Sequence, residues 1–376
     1  MKFSDIPGHE EAKRSLRAMA ESGRVAHAVM LTGRSGIGKM ELARAFAQYL
    51  HCASPENGEP CGRCSACLQH QSFNSPDLHF VYPVKKVKGK GLSSMFSEQW
   101  KEMLTDWPLM PMERWLEIIE AGNVQPQIYV EESQEIIDTA YLSPYREKLK
   151  IFIIWLPELF RAETANKLLK IIEEPFPDTV FILVSNDDSQ VLPTIASRTR
   201  RINLRPLDSD VLATHLMRKG VSRAMAEEVA RLSEGSLSRA EQIALAPDEL
   251  REFGEAFRGV MRSSYGARMT QLKTLCENTA GYGRRKLMRF LDYCADMMRE
   301  NFIYNLRMPE INLLTEEERA FSSRFAPFIH EQNVEELCEE ISRARTDIER
   351  NGNAKIVMFD LGLMFATLLR RPKNKT

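Results

Sequence analysis

Eight residues, GRSGIGKM at 33–40, have the spacing of a phosphate cradle and one substitution that breaks it. Gly33, Gly36, Gly38 and Lys39 supply what an anion needs: a turn of backbone N–H groups, the positive end of a helix starting there, and an ammonium able to reach terminal phosphates. Phosphoryl transfer also needs Mg²⁺, held by a hydroxyl directly after the lysine and by an acid ending a second apolar strand. Met40 fills the first position and has no oxygen to give. The second strand, read as KIFIIWLPELF at 150–160, carries Trp155 where the acid belongs, with Glu158 three residues on. The loop therefore reads as a seat for phosphate, ATP or ADP, with magnesium chemistry not expected. VFILVSNDD at 180–188 is an alternative second strand that ends in acids, and it leaves Met40 unchanged.

Four of the seven cysteines crowd into HCASPENGEPCGRCSACLQH as Cys52-x8-Cys61-x2-Cys64-x2-Cys67. Two successive C-x-x-C steps and a fourth Cys can surround one tetrahedral Zn²⁺. Four thiolates close the shell, so the metal is expected to be structural and to contribute folding energy to its loop. Cys276, Cys294 and Cys338 lie scattered on helical patterns as small apolar residues. A third candidate is Arg198 in SRTR at 197–200. Spacing leaves two readings open: the end of a surface helix, or an arginine reaching across a subunit boundary to a neighbour's ATP, a role worth about 10³–10⁵ in rate.

Elements must hold these residues in place. HAVMLTG at 27–33 is a short apolar run ending in Gly, and MELARAFAQYL after it puts Ala43, Phe46, Ala47 and Leu50 on one face. The glycine loop thus lies between a buried strand and a helix N-terminus, as phosphate binding requires. A helix is also expected over 10–22, and further strands at LHFVY, KIFIIWL, VFILVS and RINL alternate with helical patterns such as ETANKLLKIIEE. That alternation predicts a parallel α/β sheet covered on both faces. After Pro206 two compact helical patterns read as a small lid, and from about residue 247 everything is helical. Between Pro83 and Pro126 lies a long excursion. Its KKVKGKG at 85–91 suggests a mobile basic loop, and Trp100, Trp107 and Trp115 suggest a small packed helical element.

Composition narrows the function classes. The 51 Lys+Arg and 52 Asp+Glu nearly cancel, so any nucleic-acid or anion site is local. No run approaches the roughly 20 apolar residues of a spanning helix, and the acidic N-terminus does not look like a signal peptide. A cytoplasmic protein without a membrane role is expected, and crowded thiols suit a reducing compartment.

In order along the chain, FSDIPGHEEAKRSL, HAVMLTGRSGIGKMELARAFA, the four-Cys insert, SPDLHFV, ANKLLKIIEEP and TIASRTR resemble the clamp-loader branch of the AAA+ family, in particular the delta-prime type of bacterial DNA polymerase III subunit. The resemblance spans nearly the first 200 residues. It implies an AAA+ nucleotide-binding-like domain over 1–205 with a zinc insert at 52–67, a helical lid over 206–246, and an all-α collar over 247–376. It also implies a stator with little hydrolysis of its own, assembled with gamma/tau motor subunits and a delta subunit that together place a sliding clamp on primed DNA. Arg198 falls on the finger position, although Thr199 replaces the usual Cys. Asn186 falls where a polar γ-phosphate sensor often stands, and Ser238 takes the place of a second sensing arginine. The insertion at about 85–120 departs from the pattern. Two rivals remain: a gamma/tau-like motor ATPase using Glu158 or Asp187, and a zinc-dependent DNA-binding module on a vestigial ATPase core.

Overall fold

The computed structural model describes residues 1–106, 109–122, 124–245, 247–308, 312 and 314–372. Trp107 lies outside the described residues. Two compact units divide the chain, Met1–Gln242 and Ile243–Thr376.

The first unit is built on β1 (Ala28–Thr32), β2 (Leu78–Val81), β3 (Lys150–Trp155), β4 (Thr179–Ser185) and β5 (Arg200–Asn203). All pair in parallel, in the order β2-β3-β4-β1-β5. The central strands β1, β3 and β4 are buried at every residue because both faces are covered, and their polar residues, Thr32, Lys150, Thr179 and Ser185, stand at the strand ends. Ile151, Ile153 and Trp155 join one buried cluster, while Phe152 and Ile154 join the other. Helix α1 (Glu10–Glu21) precedes β1, and α2 (Lys39–His51), α3 (Ser65–Gln71), α4 (Ser97–Asp106), α5 (Met112–Ile118), α6 (Val130–Tyr141), α7 (Ala162–Glu173) and α8 (Pro193–Ala196) fill the crossovers. Leu16, Leu42, Phe46 and Trp100 contribute to the first cluster, and Ile136, Ala140, Leu168 and Ile172 to the second.

Three helices rather than two follow β5: α9 (Ser209–Arg218), α10 (Arg223–Leu232) and α11 (Leu237–Leu245). The two-helix expectation fails because Gly235, at φ +81°, ends one pattern and allows another to start within a few residues. The second unit contains α12 (Pro247–Tyr265), α13 (Met269–Ala280), α14 (Arg284–Asn305), α15 (Glu316–Phe325), α16 (Val334–Glu349) and α17 (Ala354–Leu368). Its core gathers Phe257, Leu291, Met298, Leu337 and Phe365, with Cys276 and Cys294 as buried fillers.

The basic stretch differs from its expectation. Val87 and Lys90 exchange both backbone hydrogen bonds, at 2.8 and 3.1 Å, across Lys88 and Gly89 at φ +50° and +83°. That is a tight two-residue hairpin turn, the conformation Lys-Gly permits, where composition had suggested a mobile loop. Beyond it the insertion is packed. Trp100 stacks on Tyr82 with centroids 3.9 Å apart, and Trp115 meets both edge-on at 5.2 and 5.1 Å. The Trp115 indole N–H donates to the Pro83 carbonyl at 2.7 Å.

Candidate functional site: phosphate loop, cysteine cluster and Arg198

The glycine loop leaves β1 and enters α2 at its N-cap, Gly38, whose φ of +95° glycine adopts without strain. Gly33 has φ +146°, and a Cβ there would stand 2.4 Å from the Leu204 carbonyl oxygen. At Gly36, φ +74°, a Cβ would stand 2.6 Å from the Ser238 Cβ. Both glycines therefore answer to close approach as well as to backbone conformation. The Gly36 carbonyl also accepts from the Ser238 N–H at 2.9 Å, so the start of α11 rests on the loop's crest. His9 closes the other side, its Nε2 lying 2.7 Å from the Ile37 carbonyl. Sequence reasoning missed His9. Its position in DIPGHE, beside a left-handed Gly8, was the available signal.

Lys39 is buried and turns its ammonium onto the loop, donating to the carbonyls of Gly33 at 2.6 Å and Arg34 at 2.5 Å. Burial lowers its pKa to about 8, against the opposing pull of Glu158 and Glu41. Burial likewise raises Glu158 above the usual carboxylate range, opposed by the Asn186 N–H that its Oε1 accepts at 2.8 Å. Glu158 thus braces the backbone after β4, and Asn186 is bound there through its main chain. Asp187 faces solvent and is held low by the hydroxyl of Ser189 and the amide of Gln190.

Met40 and Trp155 are each only 2% exposed and belong to the same buried cluster. Trp155 lies 5.5 Å from Trp100 and 6.5 Å from Trp115, ring centroid to centroid. Where the metal-organising oxygens would stand, apolar side chains pack with the insertion's aromatics.

The four cysteines converge. Their Sγ atoms all lie within 4.8 Å of one another, with Cys61 and Cys67 4.0 Å apart. A tetrahedral site with Zn–S bonds of about 2.3 Å needs sulfurs about 3.8 Å apart, so the donor set fits such an ion. Backbone N–H groups point at the sulfurs: Cys61 to Cys52 at 3.2 Å and Cys64 to Cys61 at 3.3 Å. The Arg63 and Cys64 N–H groups lower Cys61 to about 6, whereas burial pushes Cys67 up to about 12. Next to the cluster, His51 donates from Nε2 to the Leu149 carbonyl at 2.9 Å, which leaves its Nδ1 to accept from His70 at 2.9 Å. This buried relay ties the cysteine loop to the start of β3. Spacing alone did not reveal it, because the two histidines meet only through the packing of α2 on α3.

Arg198 follows α8 at the surface, far along the chain from the loop. It pairs with Glu173 at the end of α7 and donates to the Thr194 carbonyl at 2.8 Å. Thr199 donates its hydroxyl to the Ala196 carbonyl at 3.0 Å, closing the turn on which Arg198 stands. The loop, the cysteine cluster and Arg198 sit on different elements: the first at the start of α2, the second from the end of α2 into α3, and the third just after α8.

Among the described residues no helix is long and apolar enough to cross a membrane. A DNA polymerase III subunit gamma/tau of Mycobacterium bovis is 26% identical over 57% of this chain and 31% of its own length. A DNA polymerase III subunit delta′ of Bacillus subtilis is 27% identical over 64% of this chain and 60% of its own. The chain thus spans less than two thirds of either relative. A solved DNA polymerase III gamma subunit-related protein of Thermotoga maritima aligns over 95% of this chain and 99% of its own, at 14% identity and a TM-score of 0.43. The family model described as DNA polymerase III, delta subunit, matches residues 8–208, which hold the glycine loop, the cysteine cluster and Arg198. That match covers more than half of the sequence, and the chain belongs to this DNA polymerase III subunit family.

Proposed function

We propose that the chain is the delta-prime-like stator of a DNA polymerase III clamp loader. In this reading it helps gamma/tau motor subunits and a delta subunit place a sliding clamp on primed DNA, and it hydrolyses little or no ATP itself. One observation carries the reading: Met40 and Trp155 replace both magnesium-organising oxygens together, and both are locked into one buried cluster. Gly33, Gly36, Gly38 and Lys39 remain as a phosphate or nucleotide seat, with Asn186 beside Glu158 at its rim.

Arg198 is the group lent to a neighbour. Its surface position and its single exposed ion pair support this, because such a pair is worth about 0–1 kcal/mol and is readily exchanged for a phosphate. The cysteine cluster holds a structural Zn²⁺, residues 206–246 act as the lid, and 247–376 form the collar. The test is Arg198→Ala in a complex reconstituted from this chain and its motor partners. DNA-stimulated ATPase and clamp loading should fall at least about tenfold, given what a finger contributes. Loading at the wild-type rate would remove the finger role. The motor-ATPase rival draws on Glu158, whose charge reaches Lys39. Mg-dependent turnover by the isolated chain, abolished by Lys39→Ala, would establish it instead.

A further inference from the structure

The insertion does more than fill space beside Trp155. It walls a cavity of about 200 Å³ against β2 and α6, lined by Phe80, Trp100 and Ile136 among others. Every residue of β2, Leu78–Val81, lines that cavity, and β2 is an edge of the sheet. The two edges are treated differently. β5 is guarded by exposed Arg200 and Arg201, whereas β2 reads LHFV and has no guarding charge. Unguarded apolar edges are where added strands pair. Ile151 donates to the Asp77 carbonyl at 2.8 Å, so residues 77, 79 and 81 turn their backbone groups toward β3. By alternation the N–H and C=O of Phe80 face away from β3, while those of Tyr82, next on that side, are already engaged by the Ser93 hydroxyl at 3.0 Å each, so the unpaired stretch of edge centres on Phe80.

Two ring nitrogens at this cavity, Trp100 Nε1 and His79 Nε2, are buried and have no hydrogen-bond partner among the described residues. Trp100 is 3% exposed. The Trp100 N–H can only donate, and an unpaired buried donor is costly, so a ligand acceptor there would recover the loss. A second groove of about 520 Å³ adjoins the first, both being lined by Glu135 and Thr139. Its acids are Glu131, which is paired with Lys86 at 2.9 Å, together with Glu135 and Asp138, against Lys90 here and Lys101 at the adjoining cavity, which itself pairs with Glu98.

We propose that this groove docks an extended, basic segment of a partner protein, which adds a strand to the edge of β2 and buries one aromatic or aliphatic side chain in the cavity. The acidic lining selects a cationic peptide and opposes a nucleic-acid backbone. The edge supplies main-chain pairing and the cavity supplies choice of side chain. The proposal is independent of the Arg198 reading.

The full chain is titrated calorimetrically with a capped heptapeptide bearing a central phenylalanine between lysines. Companion titrations replace its lysines with glutamates or its phenylalanine with glycine, and a single-stranded DNA 10-mer completes the set. The lysine–phenylalanine peptide should bind saturably, and each altered peptide at least about tenfold more weakly. Binding should slow amide exchange at Phe80. Ser97→Trp, at the exposed mouth, and Glu135→Lys should each weaken binding by a similar factor while the unfolding midpoint stays unchanged. The proposal is overturned by no saturable binding below about 1 mM, by equal binding of the glutamate peptide or the DNA, or by indifference to both variants.

Discussion

Trp155→Asp restores an acid at the end of β3, and its cost can be worked from the packing. The side chain is 2% exposed and lies within 6.5 Å of two other indoles, so its loss resembles a buried Trp→Ala change of about 3–5 kcal/mol. A carboxylate in that aromatic setting, without a donor, adds about 1–3 kcal/mol. The total of about 4–8 kcal/mol is a large part of the 5–15 kcal/mol that stabilises a typical domain. With a urea slope of about 3 kcal/mol per molar, the midpoint should fall by about 1.3–2.7 M. All 4 tryptophans lie in the first unit, so the remaining indole fluorescence follows that unit alone. Met40→Ser/Trp155→Asp should be no more stable and should not hydrolyse Mg-ATP, because an acid and a hydroxyl placed in an apolar cluster do not rebuild a solvated metal site. A midpoint drop below about 0.5 M, or Mg-dependent turnover by the double variant, would refute the view that these positions are structural core.

Gly36→Ala should destabilise by about 1–3 kcal/mol, since it strains a left-handed residue and pushes its Cβ against Ser238; thermal unfolding measures this, and α11 should lose amide protection first. Burial raises Glu132 to about 7, while its Oε2 accepts the Ser93 N–H at 2.6 Å. The folded state therefore holds a proton that the unfolded chain releases near 4.5. The resulting stability is fully present below about pH 4.5 and is lost as pH rises toward 7, and Glu132→Gln should flatten that slope by up to about 1.4 kcal/mol per pH unit. Removing metal from reduced protein with a chelator should release one Zn²⁺ per chain and lower the first unit's stability by about 4 kcal/mol relative to zinc at 1,000 times its Kd. Cys64→Ser should abolish both the release and the difference.

The glycine loop, the C-x-x-C steps and the alternation of strands with helices were legible in the sequence because each is local. Their chemistry depends on a few residues at fixed separations, and a period of two or of 3.6 shows itself within a dozen positions. Met40 and Trp155 were visible as absences of oxygen. Only the folded chain turned them into a presence, two side chains in one core that aromatics join from an insertion whose tryptophans had suggested a packed element without saying what it packs on. The same holds for Ser238 on Gly36, for His51 with His70, and for Glu173 with Arg198. Those partners lie 19 to 202 residues apart, and spacing carries no information about which faces meet. The sequence by itself determined the types of chemistry this chain can host. Tertiary packing decided which of those groups are sealed in the core and which remain at the surface, since burial is a property of all the elements together.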